Sequence, residues 1–549
     1  MRSADCDKIR QYWPMLKKIF LSTYLQLSIF FVIAVFLKET GLLPSYLLNF
    51  ILFGYLLPVL ALPLLLEYKN NDKPDFRVKP AYVFLAITII FTFIAGVRLL
   101  PYAWNSVPLG YDPGFYKYAM DLYLDTLPAI PEDSLPLWVK QMHEQGFFVL
   151  FDALHIFTGI GSLQALVYLT PLFSALLLLP VFVFTRLIFD EKAAVLASVL
   201  YAVSYTQFTA YTFMYIRNIL GLFILLFALY ALEKKKYVFI AIMLAGLGIY
   251  HRPEFLLYSL ILACYLLKDR DVKLIYTVIL AGVLILPFWL PRIDAYLSVM
   301  SGVSDTMLNN IQGEPGGSGT FFDFNIYEWV SLAYLPFSMI GAAYLVYRKM
   351  WNSLLFYFMV SGVIVVFKLF FFNRLIIDLD IAVLILASAG ILYTFLTSRK
   401  IPRTAGIVFI GLLVISGGII TLQKADRIKP MVSEGQINSL EWLSENTEED
   451  AFILATSYDA PWALGWGKRR IIAPGLFEWD SSGKEKWLRF LTTNDTSEAE
   501  KFLKKYDNMI YIFYSFNEFN RMDLGKFNSS SFARIRVKDA VVYGYYGNN

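Results

Sequence analysis

The sequence predicts a polytopic α-helical membrane protein with a C-terminal α/β domain, and three observations carry that prediction. Apolar residues make up 57% of the chain and charged residues only 17%, with a mean hydropathy of +0.54, beyond what a soluble globular chain carries. Most of the apolar residues gather into long runs near the roughly 20 residues that cross a bilayer as a helix. After residue 422 those runs stop and short segments with helix and strand periodicity replace them.

Candidate spans lie near 20–37, 47–66, 81–100, 164–187, 193–208, 218–233, 237–250, 254–268, 273–291, 327–347, 352–371, 376–397 and 404–421, about thirteen in all. The first follows the basic start MRSADCDKIRQYWPMLKK without a small-residue cleavage site behind it, so it reads as a retained anchor. Lys and Arg set the orientation. KNNDKPDFRVK, DEK, EKKK, KDRDVK, RKM and SRKIPR fall in alternate loops, which the positive-inside rule assigns to the cytoplasm. The N-terminus is then inside, and the loops 101–163 and 292–326 lie on the outer face with everything after 422. A formal charge of +4 spread over such loops reports topology and argues against nucleic-acid binding. Cys6 and Cys264 are too few and too placed for a disulfide framework or a zinc site.

Within the first outer loop, PLWVKQMHEQGFFVLFDALHIF has mixed apolar and polar faces that suit helices lying on the membrane. The second holds the flexible run Gly313 to Gly319 followed by FFDFNIYEW, the composition of a loop that orders over a ligand or of a plain connection. The tail reads as a helix at SEGQINSLEWLSENT, a strand at AFILAT, a helix at TSEAEKFLKKY, a strand at MIYIFYS and a closing hairpin at RIRVKDAVVYGYY. These divisions give three parts: a two-helix addition over 1–80, a transmembrane domain over 81–421 and an outer α/β domain over 422–549. No P-loop, dinucleotide-binding fingerprint, HExxH or repeat period occurs.

Several ionisable residues stand at the outer ends of spans. Asp112 sits in GYDPGFYKYAM just after the span 81–100, among Tyr111, Phe115, Tyr116 and Tyr118. An acid before Pro-Gly is also what a turn uses. His251, Arg252 and Glu254 in YHRPEF interrupt apolar sequence, and charges at membrane depth are functional by default, although His251 and Glu254 can equally pair across Pro253. Arg374 lies four residues before Asp378, the spacing of a local ion pair. Glu132, Asp133, His143, Glu144 and Asp152 in the first loop read as a solvated face. The 36 Tyr and 47 Phe are mostly lipid-facing and belt material and locate nothing by themselves.

Three motifs carry a resemblance. GYDPGFYKYAM resembles the Asp-Pro-plus-aromatics motif of oligosaccharyltransferase catalytic subunits; FFFNRLIIDLDIAVLILASAG resembles a helix start shared with lipid-A aminoarabinose transferases; NSLEWLSENTEEDAFILATSYDAPWALGWGKRRIIAPG resembles the opening of the archaeal oligosaccharyltransferase tail. With the span count and outer tail, the chain looks like a GT-C glycosyltransferase, a group that uses polyprenyl-phosphate sugars. The resemblance implies a GT-C-like fold, a catalytic Asp at Asp112 and a substrate-facing Arg at Arg374. It implies as partners a polyprenyl-phosphate-linked sugar donor, an acceptor glycan, lipid or protein, and the bilayer, with no nucleic acid.

A donor carried by lipid leaves as a phosphate, so the reaction needs a base for the acceptor and positive charge for the leaving group. Asp112 is the expected base. Arg374, Arg217 and Arg252 are the expected phosphate cations, because guanidinium forks match phosphate oxygens, with His251, Glu254, Tyr111 and Tyr116 lining the substrate. Two departures stand beside the match. SYDAPW, Ser457 to Trp462, keeps Asp459 of the sequon-reading WWDYG motif but loses its paired tryptophans, and TAYTFMYIRN carries Arg217 and Asn218 where the family has acidic metal ligands. The family pattern would take Mn²⁺ or Mg²⁺, while these residues offer no ligand set and assign no certain cofactor.

Two other readings of the same chain remain: a transporter or flippase of polyprenyl-linked sugar lipids, whose intramembrane charges would line a pathway, and a non-catalytic scaffold of the same fold. The Lys- and Ile-rich composition and the archaeal look of the tail point to a prokaryotic, archaeal cell membrane. The sugar, lipid carrier, acceptor and oligomeric state are not legible. Orientation is directly testable. Cysteine labelling of intact cells should reach a thiol placed at Ser530 and miss one placed at Lys235; the reverse pattern, or labelling of both, would overturn the orientation.

Overall fold

Backbone amides in hydrocarbon find no water, so a chain of this composition folds into helices that close their hydrogen bonds internally. The structure, a computed structural model, describes residues 79–127, 139–140, 144–297, 322–370, 372–397, 403–474, 482–516, 522–537 and 539–546. All but the last two residues of the expected N-terminal addition lie outside the described residues, as do the Gly313 to Gly319 run, Glu132, Asp133 and His143.

The described chain opens with α1 (Pro80–Leu99), followed by the short helices α2 (Pro113–Asp125) and α3 (Gln145–Thr158). Then come α4 (Ser162–Ile188), α5 (Glu191–Val203), α6 (Tyr205–Thr212), α7 (Ile216–Glu233), α8 (Tyr237–Tyr250), α9 (Arg252–Asp269) and α10 (Val272–Trp289). From residue 322 on follow α11 (Phe324–Ser331), α12 (Leu335–Tyr347), α13 (Ser353–Val366), α14 (Phe372–Leu392) and α15 (Arg403–Arg427). Among the described residues six helices are long and apolar enough to cross a membrane, and eight if the bent pairs α5–α6 and α11–α12 each count as one span. The hydropathy count of about thirteen is larger. It also includes the two spans outside the described residues, α8 and α13 with only 14 residues each, and α9, which carries four charged residues. A helix of that shorter length is only about 21 Å long, less than the hydrocarbon thickness.

α14 is the hub of the bundle, with 94% of its apolar stretch buried inside the protein, whereas α15 at 17% faces outward. Two glycines let α12 and α14 touch backbone to backbone. A methyl group on Gly341 would stand 2.2 Å from the Leu386 carbonyl oxygen, and one on Gly390 would stand 1.8 Å from that of Phe337; this is the small-residue packing that membrane helices use. α14 also holds both bent pairs. The fully buried Asp380 accepts from Ser204 Oγ and Gln207 Nε2 at the α5–α6 bend of 50°, and from the Tyr334 hydroxyl at the α11–α12 bend of 76°, each at 2.9 Å. Three neutral donors satisfy a carboxylate that would otherwise be very costly at this depth.

Beyond α15, the described residues between 434 and 545 form a five-stranded sheet of order β2-β1-β3-β5-β4 with helices on both faces. The elements are α16 (Glu434–Asn446), β1 (Phe452–Leu454), α17 (Ala460–Gly467), β2 (Arg470–Ile472), α18 (Lys484–Thr492), α19 (Thr496–Leu503), β3 (Ile510–Ser515), β4 (Phe532–Val537) and β5 (Ala540–Tyr545). β1 is parallel to β2 and β3, and β5 is antiparallel to β3 and β4. Strand alternation divides the core in two. Ile453, Tyr511 and Phe513 face α16 and α17, while Leu454, Ile510 and Ile512 face Trp487 of α18 and Leu503 of α19. Each strand and helix expected in the tail from its periodicity is present, together with α17, β2 and α18, which the pattern did not show.

Gly390→Ala should push α12 away from the hub and destabilise the detergent-solubilised protein by about 1–3 kcal/mol, read as a lower melting temperature. An unchanged transition would show that the two backbones do not need their contact.

Candidate active site

Two close approaches fix the position of Asp112. Gly110 has φ +79°, and a side chain there would stand 2.8 Å from the Phe213 carbonyl oxygen, so only glycine lets the Asp112 turn lie against the turn that precedes α7. Gly114 does the same toward α17, where a methyl group would stand 1.8 Å from the Pro461 carbonyl oxygen; Gly465 meets Gly114 from the other side. The Tyr111 hydroxyl donates to the Ser457 carbonyl, and Ser106 Oγ donates to Glu434 Oε1 at 2.8 Å. The segment from Ser106 to Gly114 and the α/β unit are therefore packed together around Asp112.

Asp112 occupies the N-cap of α2 with φ −80° and ψ −8°, yet its carboxylate does not cap the helix. The turn is closed by the backbone instead, with the Tyr116 N–H donating to the Asp112 carbonyl at 3.2 Å. The side chain is half-buried, and no hydrogen bond reaches its carboxylate among the described residues. Burial raises this carboxyl above the usual range, and Arg374 and then Arg217 oppose that rise without cancelling it.

Arg217, near the start of α7, is buried; its Nη1 meets Glu144 Oε2 at 2.5 Å, its Nε donates to the Tyr116 hydroxyl at 3.3 Å, and its guanidinium lies 5.7 Å over the Tyr116 ring. Arg374, in the first turn of α14, lies 5.2 Å over the Tyr215 ring and donates from Nη1 to Asn218 Oδ1 at 3.4 Å. It does not form the expected pair with Asp378, which instead accepts from the Tyr357 hydroxyl at 3.3 Å in the bundle core. Arg374 thus meets Tyr215 and Asn218 at the start of α7, and Asp378, a turn further along α14, is fully buried.

The remaining expected residues stand one layer back. Arg252 Nε meets Glu144 Oε1 at 2.7 Å and its guanidinium covers the Tyr296 ring at 4.8 Å. His251 Nδ1 bonds to Glu254 Oε2, and Glu254 Oε1 accepts from Asn218 Nδ2 at 3.2 Å. The structure thus joins Asp112, Tyr116, Arg217 and Arg374, with Arg252, His251 and Glu254 behind them, whereas the Tyr111 hydroxyl is committed to the α/β unit.

Sequence reasoning missed Glu144 and Tyr215. Glu144, expected on a solvated face, is 2% exposed, and Asp152, expected on the same face, is also buried. Burial works against the Glu144 charge, but Arg252 and Arg217 outweigh it and hold the carboxyl well below the usual carboxylate range. The available signal was indirect: guanidiniums at the ends of apolar helices require acids, and the segment 101–163 is where unassigned acids occur.

These residues do not fit a divalent cation. The charges that act on Asp112 are two guanidiniums, Glu144 is already shared between two arginines, and among the described residues no three His, Cys, Asp or Glu side chains converge. A hard cation needs several convergent oxygen ligands. Asp459 is not available either. It is fully buried and accepts from the Ser515 N–H at 2.9 Å and Ser515 Oγ at 2.6 Å, tying the start of α17 to the end of β3. Two tryptophans do stand beside it, Trp462 and Trp466, stacked 5.3 Å apart and buried.

No protein-family model and no curated protein matches the sequence. Solved structures do match the fold. The oligosaccharyltransferase of Archaeoglobus fulgidus superposes with a TM-score of 0.58 at 15% identity, covering 80% of this chain and 70% of that one. ArnT of Cupriavidus metallidurans gives 0.50 at 12% identity over 84% and 98%, and the mycobacterial arabinofuranosyltransferase AftD gives 0.53 at 10% identity over 85% and 40%. All three are GT-C glycosyltransferases, and the chain is a membrane protein with the GT-C fold.

Proposed function

We propose that the protein is a membrane glycosyltransferase that moves a sugar from a polyprenyl-phosphate-linked donor to an acceptor at the extracytoplasmic face, with Asp112 as general base. The observation that carries this reading is the state of Asp112: a half-buried carboxylate that caps nothing, accepts no hydrogen bond among the described residues and lies in the field of Arg374 and Arg217. A turn residue would have spent its oxygens on the backbone. The GT-C fold supports the transferase class. The lipid-linked donor follows from chemistry, since nucleotide sugars are scarce outside the cytoplasm.

In the reaction, the acceptor heteroatom attacks the anomeric carbon, its bond to that carbon forms, and its proton passes to Asp112. The bond between the anomeric carbon and the phosphate oxygen breaks, and the lipid phosphate leaves with the electron pair. Arg374 holds the departing phosphate, because Asn218 at 3.4 Å is its one hydrogen bond among the described residues, which leaves most of its fork for a ligand. Arg217 and Arg252 each have a nitrogen engaged by Glu144 and contribute charge at longer range. No step passes through a metal.

Asp112→Asn keeps size and polarity but removes basicity, so turnover should fall by roughly 10²-fold or more while donor binding persists. Since burial raises the Asp112 carboxyl, the wild-type rate should fall as pH drops through that raised value, and the acid limb should lie above that of an ordinary aspartate. Full activity in Asp112→Asn would reduce Asp112 to a turn residue.

Arg374→Ala should weaken binding of a short polyprenyl phosphate such as farnesyl phosphate by about 1.5–3 kcal/mol, the worth of a charge-assisted hydrogen bond. Arg374→Lys should recover only part, because an ammonium cannot reproduce the bidentate fork. Equal affinity in all three proteins would move the phosphate elsewhere, and activity abolished by a chelator and restored by Mn²⁺ would make Asp112 a metal ligand.

A further inference from the structure

Glu144 divides its carboxylate between two helices. Oε2 takes Arg217 of α7 at 2.5 Å and Oε1 takes Arg252 of α9 at 2.7 Å, with 2% of the residue exposed. Desolvating a carboxylate costs more than a single ion pair usually returns, so a buried one is tolerated only with excellent geometry; here each oxygen has its own guanidinium. His251 and Tyr296 are the other titratable groups that act with it. Asp112 is faced by Arg217 and Arg374 and by the hydroxyls of Tyr111, Tyr116 and Tyr215. Arg217 is thus the one group common to both carboxylates, and Glu144 is the one that contacts it at hydrogen-bond distance.

We propose that Glu144 is a positioning residue that keeps Arg217 and Arg252 from closing onto the Asp112 carboxylate and the donor phosphate. The inference rests on the reading of Asp112 as base and Arg374 as phosphate ligand. A base neutralised by a direct guanidinium contact loses basicity, because an opposite charge within about 4–6 Å favours the ionised form. A phosphate gripped by three arginines is released slowly. One buried acid prevents both, and leaves Arg374 as the guanidinium free to follow the leaving group.

The test uses the full-length protein in lipid nanodiscs. A carbodiimide modifies only protonated carboxyl groups, so the extent of Asp112 labelling against pH, mapped by mass spectrometry, reports its titration, and farnesyl phosphate binding is measured in parallel. Glu144→Gln should lower the labelling midpoint by on the order of one pH unit and tighten farnesyl phosphate binding several-fold, and Glu144→Asp, which keeps the charge, should restore both toward wild type. A purely structural Glu144 would lose thermal stability in Glu144→Gln with the midpoint and the affinity unmoved, and that result overturns the proposal. If Glu144→Gln does not fold, Arg252→Gln at the partly exposed side of the pair gives Arg217 the whole carboxylate and should raise the midpoint; no rise there also overturns it. Failure of farnesyl phosphate to bind the wild-type protein would remove the phosphate reading of Arg374, while the labelling midpoints would still decide the effect of Glu144 on Asp112.

Discussion

A charge that leaves water inside an apolar bundle must be met by an opposite charge or by several hydrogen bonds, and the architecture of this protein depends on how that demand is met. Asp380 is satisfied by three neutral donors and thereby holds two bent helix pairs to the hub. Glu144 is satisfied by two guanidiniums and joins the connection between α1 and α4 to α7 and α9. Glu254 is satisfied by His251 and Asn218. Asp112 alone among these acids receives no hydrogen bond from the described residues. An acid left open beside two cations is the natural place to seek chemistry.

The same region shows how distant segments are forced together. Asp112 and Arg217 are more than one hundred residues apart, and Arg374 is more than one hundred and fifty beyond Arg217. Gly110 and Gly114 bring the turn of Asp112 against the α6–α7 connection on one side and α17 on the other, at distances where a single methyl group would collide with backbone. Precision comes from those backbone contacts, since a site assembled on packed main chain is held more tightly than one carried by long side chains. The α/β unit is part of this frame through Ser457, Pro461 and Glu434.

The likeness to the oligosaccharyltransferase fold sharpens the meaning of what differs. Asp459 is spent on Ser515, and Trp462 and Trp466 are stacked and buried, so in this arrangement the stretch serves the packing of α17. Arg217 and Asn218 stand where acidic ligands were expected, and both are drawn into hydrogen-bonded pairs with Glu144 and Glu254. In the proposed phosphate site, arginine would supply the positive charge for which a cation would otherwise be recruited.

Hydropathy and periodicity determined the class of the protein, the helical segments of the bundle and most elements of the tail, because burial in lipid and strand alternation act on consecutive residues and leave a local imprint. The motif around Asp112 was legible too, since a turn with an acid and aromatics is a short-range pattern. What only the tertiary structure decided were the pairings. Whether Arg374 would bond to Asp378 four residues away or to Asn218 from another helix, and whether Glu144 would face water or two arginines, depends on where helices distant in sequence come to lie. Local spacing permits a contact but cannot rank it against one across the bundle, because the partners within reach of a buried charge are set by the packing of helices distant in sequence.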